Sequence, residues 1–269
     1  MGSEATHFSD DLALMLEASR LAADIAMSHF RQDPEVWYKN GGRSPVSEAD
    51  IAIDELLKKL LLAARPAYGW LSEEAEDTEH RLAYKRVFIV DPIDGTRAYV
   101  AGRPDWCVSV GLVEDGKPVA GVLAAPARGE VWQAQAGGGA FLNDVRLSAG
   151  TSFSGEARLR VAIPDMVAKV MLPNAETGFD KVAGGPSLAL RVAAVARGEL
   201  DAVFVRPQAS EWDLAAADTL LAETGHVLVD QAGDRMHYNR PDPSRGLLLA
   251  ASSAQVPQLL GLLQTANGH

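Results

Sequence analysis

The chain has 269 residues, of which 47% are apolar and 23% charged, with a formal net charge of −11. Such a composition suits a globular protein of one large domain or two packed lobes. The acidic balance excludes non-specific binding to nucleic acid polymers or anionic lipid, so a phosphorylated ligand would need local positive charge from metal ions or a basic pocket.

A single cysteine, Cys107, excludes an intrachain disulfide and reads as a buried structural thiol. The start is polar, and no apolar run approaches the ~20 residues of a membrane span. A cytoplasmic protein without a membrane segment is the expectation.

In chain order, Asp10 to Phe30 reads as an amphipathic helix, with Leu12, Leu16, Ala23 and Met27 at helical spacing. Lys39 to Pro45 carries loop residues. Ser47 to Ala64 predicts a second helix with Ile51, Leu56, Leu57, Leu60 and Leu61 facing the core. Val87 to Val90 is a short apolar run ending at Asp91-Pro92, which predicts a buried strand. Val108 to Val113 and Val119 to Ala125 predict a hairpin, and Glu130 to Ala136 a further strand. The glycines 137 to 139 lack the Lys-Ser/Thr of a phosphate-binding loop and read as a turn.

Gly150 to Gly155 is small and polar and predicts a boundary between lobes 1–150 and 151–269. Beyond it, strands are expected at Leu159 to Ile163, Ala202 to Val205, Val227 to Val229 and Leu247 to Ala251. Helices are expected at Ser187 to Arg197, at Leu214 to Glu223 and from Pro257. Hairpins in the first half and alternating elements in the second predict a mixed α+β fold.

Four acidic clusters carry the chemical signal: Ser47-Glu48-Ala49-Asp50, Leu71-Ser72-Glu73-Glu74, Asp91-Pro92-Ile93-Asp94-Gly95-Thr96 and Glu211-Trp212-Asp213. The third sets two carboxylates three apart directly after an apolar strand, where α/β sheets form ligand crevices. Gly95 and Thr96 then offer backbone N–H groups to an anion. Carboxylates beside an anion pocket repel it unless divalent cations bridge the two, and magnesium prefers such oxygen donors. Each cluster alone has a structural reading as well. Ser47 with Asp50 fits a capping box, Glu73 to Glu79 a solvated loop, Asp213 a carboxylate on a helix dipole, and Asp91 to Thr96 a turn. The histidines form no metal-spaced set.

Taken together and in this order, the clusters resemble the inositol monophosphatase superfamily of metal-dependent, lithium-sensitive phosphatases. Asp91-Pro92-Ile93-Asp94-Gly95-Thr96 is similar to that family's signature, and Trp212-Asp213-Leu214-Ala215-Ala216 to its second motif. The resemblance implies a layered αβαβα sandwich of two lobes, usually homodimeric. It implies that Glu73, Asp91 and the Ile93 carbonyl hold one Mg2+. Asp91, Asp94 and Asp213 would hold a second, and Glu73 would help hold a third. It further implies that Thr96, with Glu73 and Asp50 nearby, orients the attacking water, and that the Gly95 and Thr96 N–H groups hold the phosphate.

The substrate is less sharply marked. Inositol-specific members carry a Glu seven residues before the Trp-Asp aspartate, where this chain has Arg206, which suits a second anion. Glu211, Ser187 within Gly185-Pro186-Ser187-Leu188, and the stretches Met236 to Asn239 and Gly246 to Leu248 are more similar to 3'(2'),5'-bisphosphate nucleotidases. Ser187, Arg206 and Glu211 are therefore expected to contact substrate. Arg103-Pro104-Asp105-Trp106 to Gly111 instead resembles inositol-type members. A small bisphosphorylated nucleotide is the first expectation and inositol 1-phosphate the alternative. Fructose bisphosphate and histidinol phosphate rank below. A silent metal- or phosphate-binding protein is the rival from outside enzymology.

Overall fold

The computed structural model describes residues 8–32, 36–39, 44–148, 158–171 and 179–266. Helix α1 (Ser9–His29) leads into a small hairpin of β1 (Val36–Lys39) and β2 (Ser44–Ser47), then helix α2 (Glu48–Ala64). Seven strands build one sheet: β3 (Gly69–Ser72), β4 (Arg86–Asp94), β5 (Cys107–Glu114), β6 (Lys117–Ala125), β7 (Glu130–Gln135), β8 (Gly139–Leu142) and β9 (Val145–Arg146). β3 and β4 run parallel, and the remaining neighbours are antiparallel. The short helix α3 (Thr96–Val100) follows β4 directly.

The rest of the chain supplies β10 (Leu159–Ala162), α4 (Asp165–Met171), β11 (Phe179–Val182), α5 (Leu188–Ala196), β12 (Ala202–Val205), β13 (Ala209–Ser210) and α6 (Ala215–Glu223). β14 (His226–Asp230), β15 (Ser244–Arg245), β16 (Leu248–Ser252) and α7 (Val256–Ala266) complete it. A second sheet has the order β11-β10-β12-β16-β14, and β13 pairs with β15.

Three apolar cores fix the order of the layers. One joins α1 and α2 to one face of the large sheet through Met15, Ile53, Leu57, Phe88, Val90 and Leu112. The second fills the space between the two sheets with α5 and α6, from Ile89 and Leu123 on one side to Val203 and Leu248 on the other. The third packs α4 and α7 on the outer face of the small sheet, against Val161, Phe204 and Leu249. The result is the αβαβα sandwich that the sequence implied. The inner strands β4, β5, β6, β12 and β16 bury both faces, so their runs are nearly continuously apolar.

Some local readings differ. In α1 the buried face is Met15, Ala18, Ala22 and Ala26, while Met27 is 40% exposed and Leu12 and Leu16 are half-buried. Small alanines form the inward face because α1 lies close on α2 and β6, so the bulkier residues flank the contact. In α2, Leu57 and Leu61 are buried as expected, but Ile53 takes the place assigned to Ile51. Part of the expected loop at Lys39 to Pro45 is the β1–β2 hairpin, and residues 40–43 lie outside the described residues. The boundary expected at Gly150 to Gly155 also lies outside them. β3, α3, α4 and β11 have no counterpart in the sequence reading; at four to seven residues each, they carry little periodicity.

Two glycines bring α6 unusually near the large sheet. Gly111 and Gly121 face each other across β5 and β6. A Cβ on Gly111 would lie 2.8 Å from the Ala215 Cβ, and one on Gly121 would lie 2.8 Å from the Ala216 Cα. Backbone and methyl groups therefore meet where any larger side chain would push the helix away. Gly121→Ala is expected to lower the free energy of urea unfolding by ~1–3 kcal/mol through overpacking. An unchanged midpoint would contradict that close approach.

Within α6, Asp218 is buried and accepts a 2.9 Å hydrogen bond from the Tyr238 hydroxyl. Burial is the main cause that lifts its pKa from 3.8 to about 7, opposed by the Tyr238 bond and by Arg235. The folded chain thus binds a proton there that the unfolded chain releases above its lower pKa. This contribution to stability is complete below about pH 4 and is lost as pH rises through about 7. The carboxylate costs up to ~4 kcal/mol above that window. Asp218→Asn is expected to flatten this part of the pH dependence and to raise stability at alkaline pH, as read by urea unfolding on both sides of the window. Equal pH profiles for the two proteins would refute it.

Candidate metal centre

β4 runs to Asp94, but its pairing with β5 slips between Asp91 and Asp94. In a regular strand, residues three apart point to opposite faces. The bulge at Pro92 and Ile93 absorbs the extra residue and turns both carboxylates to one side. The Ile93 N–H is released from the ladder and donates to Asp91 Oδ1 at 3.0 Å. The Ile93 side chain is buried beneath α1 and α2, so its backbone borders the cavity, where its carbonyl accepts the Thr96 hydroxyl at 3.0 Å.

Gly95 adopts φ +94°, which lets the chain turn from β4 into α3. A Cβ there would sit 2.9 Å from the Asp105 carbonyl and 3.2 Å from the Ser187 Cβ. Asp94 is held from the opposite direction. It accepts the Ser187 hydroxyl and the N–H groups of Leu188 (3.2 Å) and Ala189 (2.8 Å), the first turn of α5. Asp213 comes from the short turn before α6, where it accepts the Ser210 N–H at 2.8 Å in a capping box. Ser109 of β5 donates to the Trp212 carbonyl at 3.2 Å and ties this turn to the large sheet.

Asp91, Asp94 and Asp213 thus each offer an oxygen, all within 4.8 Å of one another. Burial first, then Glu73, Asp94, Asp213 and Asp50, push the Asp91 carboxyl well above the usual carboxylate range. Burial and then Asp94 raise Asp213 to about 7, with Arg206 and Arg191 opposing. Burial also raises Asp94, against the hydrogen bonds from Ser187, Ala189 and Leu188. The donor set is all oxygen, so it fits a hard divalent cation rather than zinc. Among the described residues this trio is the one grouping of that kind.

The trio opens on a cavity of about 660 Å3, bordered also by Glu73, Gly95, Thr96, Arg191 and Arg206. Glu73 reaches it because its N–H continues the β3–β4 pairing by donating to the Val90 carbonyl at 3.2 Å. Of the expected site residues, the structure brings Glu73, Asp91, Ile93, Asp94, Gly95, Thr96, Arg206 and Asp213 to one cavity. Three others stand elsewhere.

Asp50 accepts from the Ser47 N–H (2.8 Å) and hydroxyl (2.6 Å) as the return arm of a capping box, and it is not on the cavity wall. It lies near enough to raise Asp91, and burial lifts its own pKa to about 6. Ser187 is buried beside the main cavity, where it caps α5 and fixes Asp94 rather than facing substrate. Glu211 is also absent from the cavity wall. It is fully buried, paired with Arg245, and accepts the N–H groups of Asn239 (2.7 Å) and Arg240 (3.2 Å). Its carboxylate anchors the stretch before β15, because a buried charge needs a partner and this stretch supplies one. Tyr238 of the same stretch is bonded to Asp218, so neither residue forms part of the cavity wall.

The sequence reading passed over Asp54, whose carboxylate accepts the Ser72 hydroxyl just ahead of Glu73. Its signal was present: it follows Asp50 by four residues on the same face of α2. It also passed over Arg191, and over Gln208, which borders the cavity with φ +71°.

Residues 9–267 match the model of the inositol monophosphatase family, and the chain belongs to that family. It is thereby a metal-dependent phosphoric monoester hydrolase. An inositol-1-monophosphatase of Rhizobium meliloti is 36% identical over 203 residues, covering 70% of this chain and 73% of that one. A histidinol-phosphatase of Mycobacterium tuberculosis is 32% identical over 245 residues, covering 83% and 88%. The crystal structure of the extragenic suppressor protein suhB from Bartonella henselae superposes with a TM-score of 0.80 at 27% identity, covering 95% and 99%. No helix among the described residues is long and apolar enough to cross a membrane.

Because Ser187 fixes Asp94, Ser187→Ala is expected to weaken binding of a divalent cation at the trio by roughly 10–100-fold, the usual effect of removing a supporting partner. Calorimetric titration with Mg2+ measures this, and an unchanged affinity would refute the supporting role.

Proposed function

We propose that this protein is a Mg2+-dependent, Li+-sensitive phosphatase that hydrolyses a 3'(2'),5'-bisphosphate nucleotide to the monophosphate. The observation that carries the reading is the juxtaposition of Asp91, Asp94 and Asp213 with the cationic Arg206 on the wall of the same cavity. The carboxylates suit cations that hold the phosphate to be cleaved, and the guanidinium suits a second phosphate.

Asp91, Asp94, Asp213 and Glu73, with the Ile93 carbonyl, would hold two or three Mg2+ ions. A divalent cation supplies charge neutralisation and Lewis-acid polarisation to phosphoryl transfer. The chain's own residues do the positioning. The Gly95 and Thr96 N–H groups hold the phosphate, and the Thr96 hydroxyl and Glu73 orient the attacking water. Asp50, held by Ser47, strengthens the field at Asp91 from behind the cavity wall. No covalent enzyme intermediate is needed. We further read the enzyme as a cytoplasmic homodimer.

A second reading, inositol-1-phosphate hydrolysis, is favoured by the similarity to the Rhizobium meliloti inositol-1-monophosphatase. Turnover of adenosine 3',5'-bisphosphate and of inositol 1-phosphate, side by side with Mg2+, separates the two. The nucleotide is expected to give the higher kcat/KM, and the reverse order would overturn the ranking. Asp91→Asn is expected to lower kcat by several orders of magnitude while the far-UV circular dichroism is unchanged. Activity near that of the wild type would remove Asp91 from the site.

A further inference from the structure

The cavity wall also carries cations whose balance differs from one to the next. Lys181 is neutralised by Asp165 at 2.6 Å. Arg191 and Arg206 make no ion pair and no side-chain hydrogen bond among the described residues, and the buried Arg191 Nε has no partner. Arg191 lies one turn into α5, beyond the residues that hold Asp94. Its side chain passes over Gly184, where an added Cβ would come within 2.8 Å of Nη1, so the absence of a side chain at 184 is what admits it. Burial and Arg206 both act to lower the Arg191 pKa, while Asp94 and Asp213 act to raise it. The two guanidiniums are therefore within electrostatic reach of each other as well as of the acids.

Arg191 is half-buried and Arg206 exposed, so their repulsion is partly screened by solvent, and neither is closed off by a carboxylate contact. An anion with two or three oxygens, set between two planar guanidiniums, would relieve this by bidentate hydrogen bonds. The phosphate to be cleaved belongs at the carboxylates, which leaves the guanidinium pair to another anionic group. We propose that Arg191 acts with Arg206 as the subsite for a second anionic group of the substrate, a phosphate or a carboxylate, and is a specificity-determining residue. The inference rests on the phosphatase reading above and deepens it, since it assigns a residue that the sequence motifs do not mark.

The test has two arms on the full chain. In the first, binding of inorganic phosphate is titrated by calorimetry in EDTA, so that the carboxylates cannot hold the anion. The wild type is expected to bind it saturably, Arg191→Gln to bind it roughly tenfold more weakly or worse, and Arg191→Lys to fall between. No binding by the wild type, or equal binding by Arg191→Gln, would overturn the proposal.

In the second arm, kinetics with Mg2+ compare adenosine 3',5'-bisphosphate with inositol 1-phosphate. Arg191→Gln is expected to raise KM for the bisphosphate roughly tenfold more than KM for inositol 1-phosphate, with the larger part of the loss in KM rather than kcat. Equal loss on both substrates would assign Arg191 to the support of Asp94 and overturn the proposal. Failure of the wild type to release phosphate from either ester would refute the proposed reaction, while the first arm would still decide the subsite.

Discussion

The fold is organised around a repulsion. Three aspartates from two distant parts of the chain, the buried Asp91 and Asp94 on β4 and the half-buried Asp213 before α6, bring oxygens within 4.8 Å of one another. Isolated, such an arrangement would be driven apart or would take up protons, and the raised carboxyl pKa values express that tendency. It persists because each carboxylate is fastened by groups the fold cannot easily move: a bulged backbone for Asp91, the first turn of α5 for Asp94, and a capping turn for Asp213. The scaffold holds ready an arrangement that only bound cations make favourable, as electrostatic preorganisation requires.

That role explains where the molecule is densest. α5 and α6 fill the layer between the two sheets, and both begin at the metal centre. The glycine pair on β5 and β6 sets the depth of α6, and so the place from which Asp213 approaches. Buried charges away from the centre serve the same end by other means. Glu211 with Arg245 fixes the stretch that follows α6 and β14, and Asp54 with Ser72 fixes the end of β3 from which Glu73 extends.

Much of this was readable from the amino-acid order, for a physical reason. Carboxylates clustered around a sharp turn are uncommon in a sequence, so Asp91 to Thr96, Glu73 and Asp213 stand out there, and they converge in space on one cavity. The long apolar strands of both sheets were legible for the same reason. Short elements were not, since β3, β11 and α3 gain their order from pairing and packing rather than from local pattern. Glu211 misled because a glutamate beside a motif looks the same whether it faces a cavity or a buried arginine. The inward face of α1 misled because close packing selected alanines over the larger residues that periodicity weights. Ser187 stands beside the cavity, with its hydroxyl on a carboxylate of the protein.

The bulge in β4 also bears on coordination. Two acids on one face need no bulge, because a spacing of two in a straight strand achieves it. What the extra residue adds is a main-chain carbonyl, that of Ile93, freed from the ladder beside the acids. Such an oxygen can complete the shell of a hard cation without adding a further negative charge. A site already crowded with anions could thus gain a donor while its net charge stays low enough for a phosphate dianion to approach.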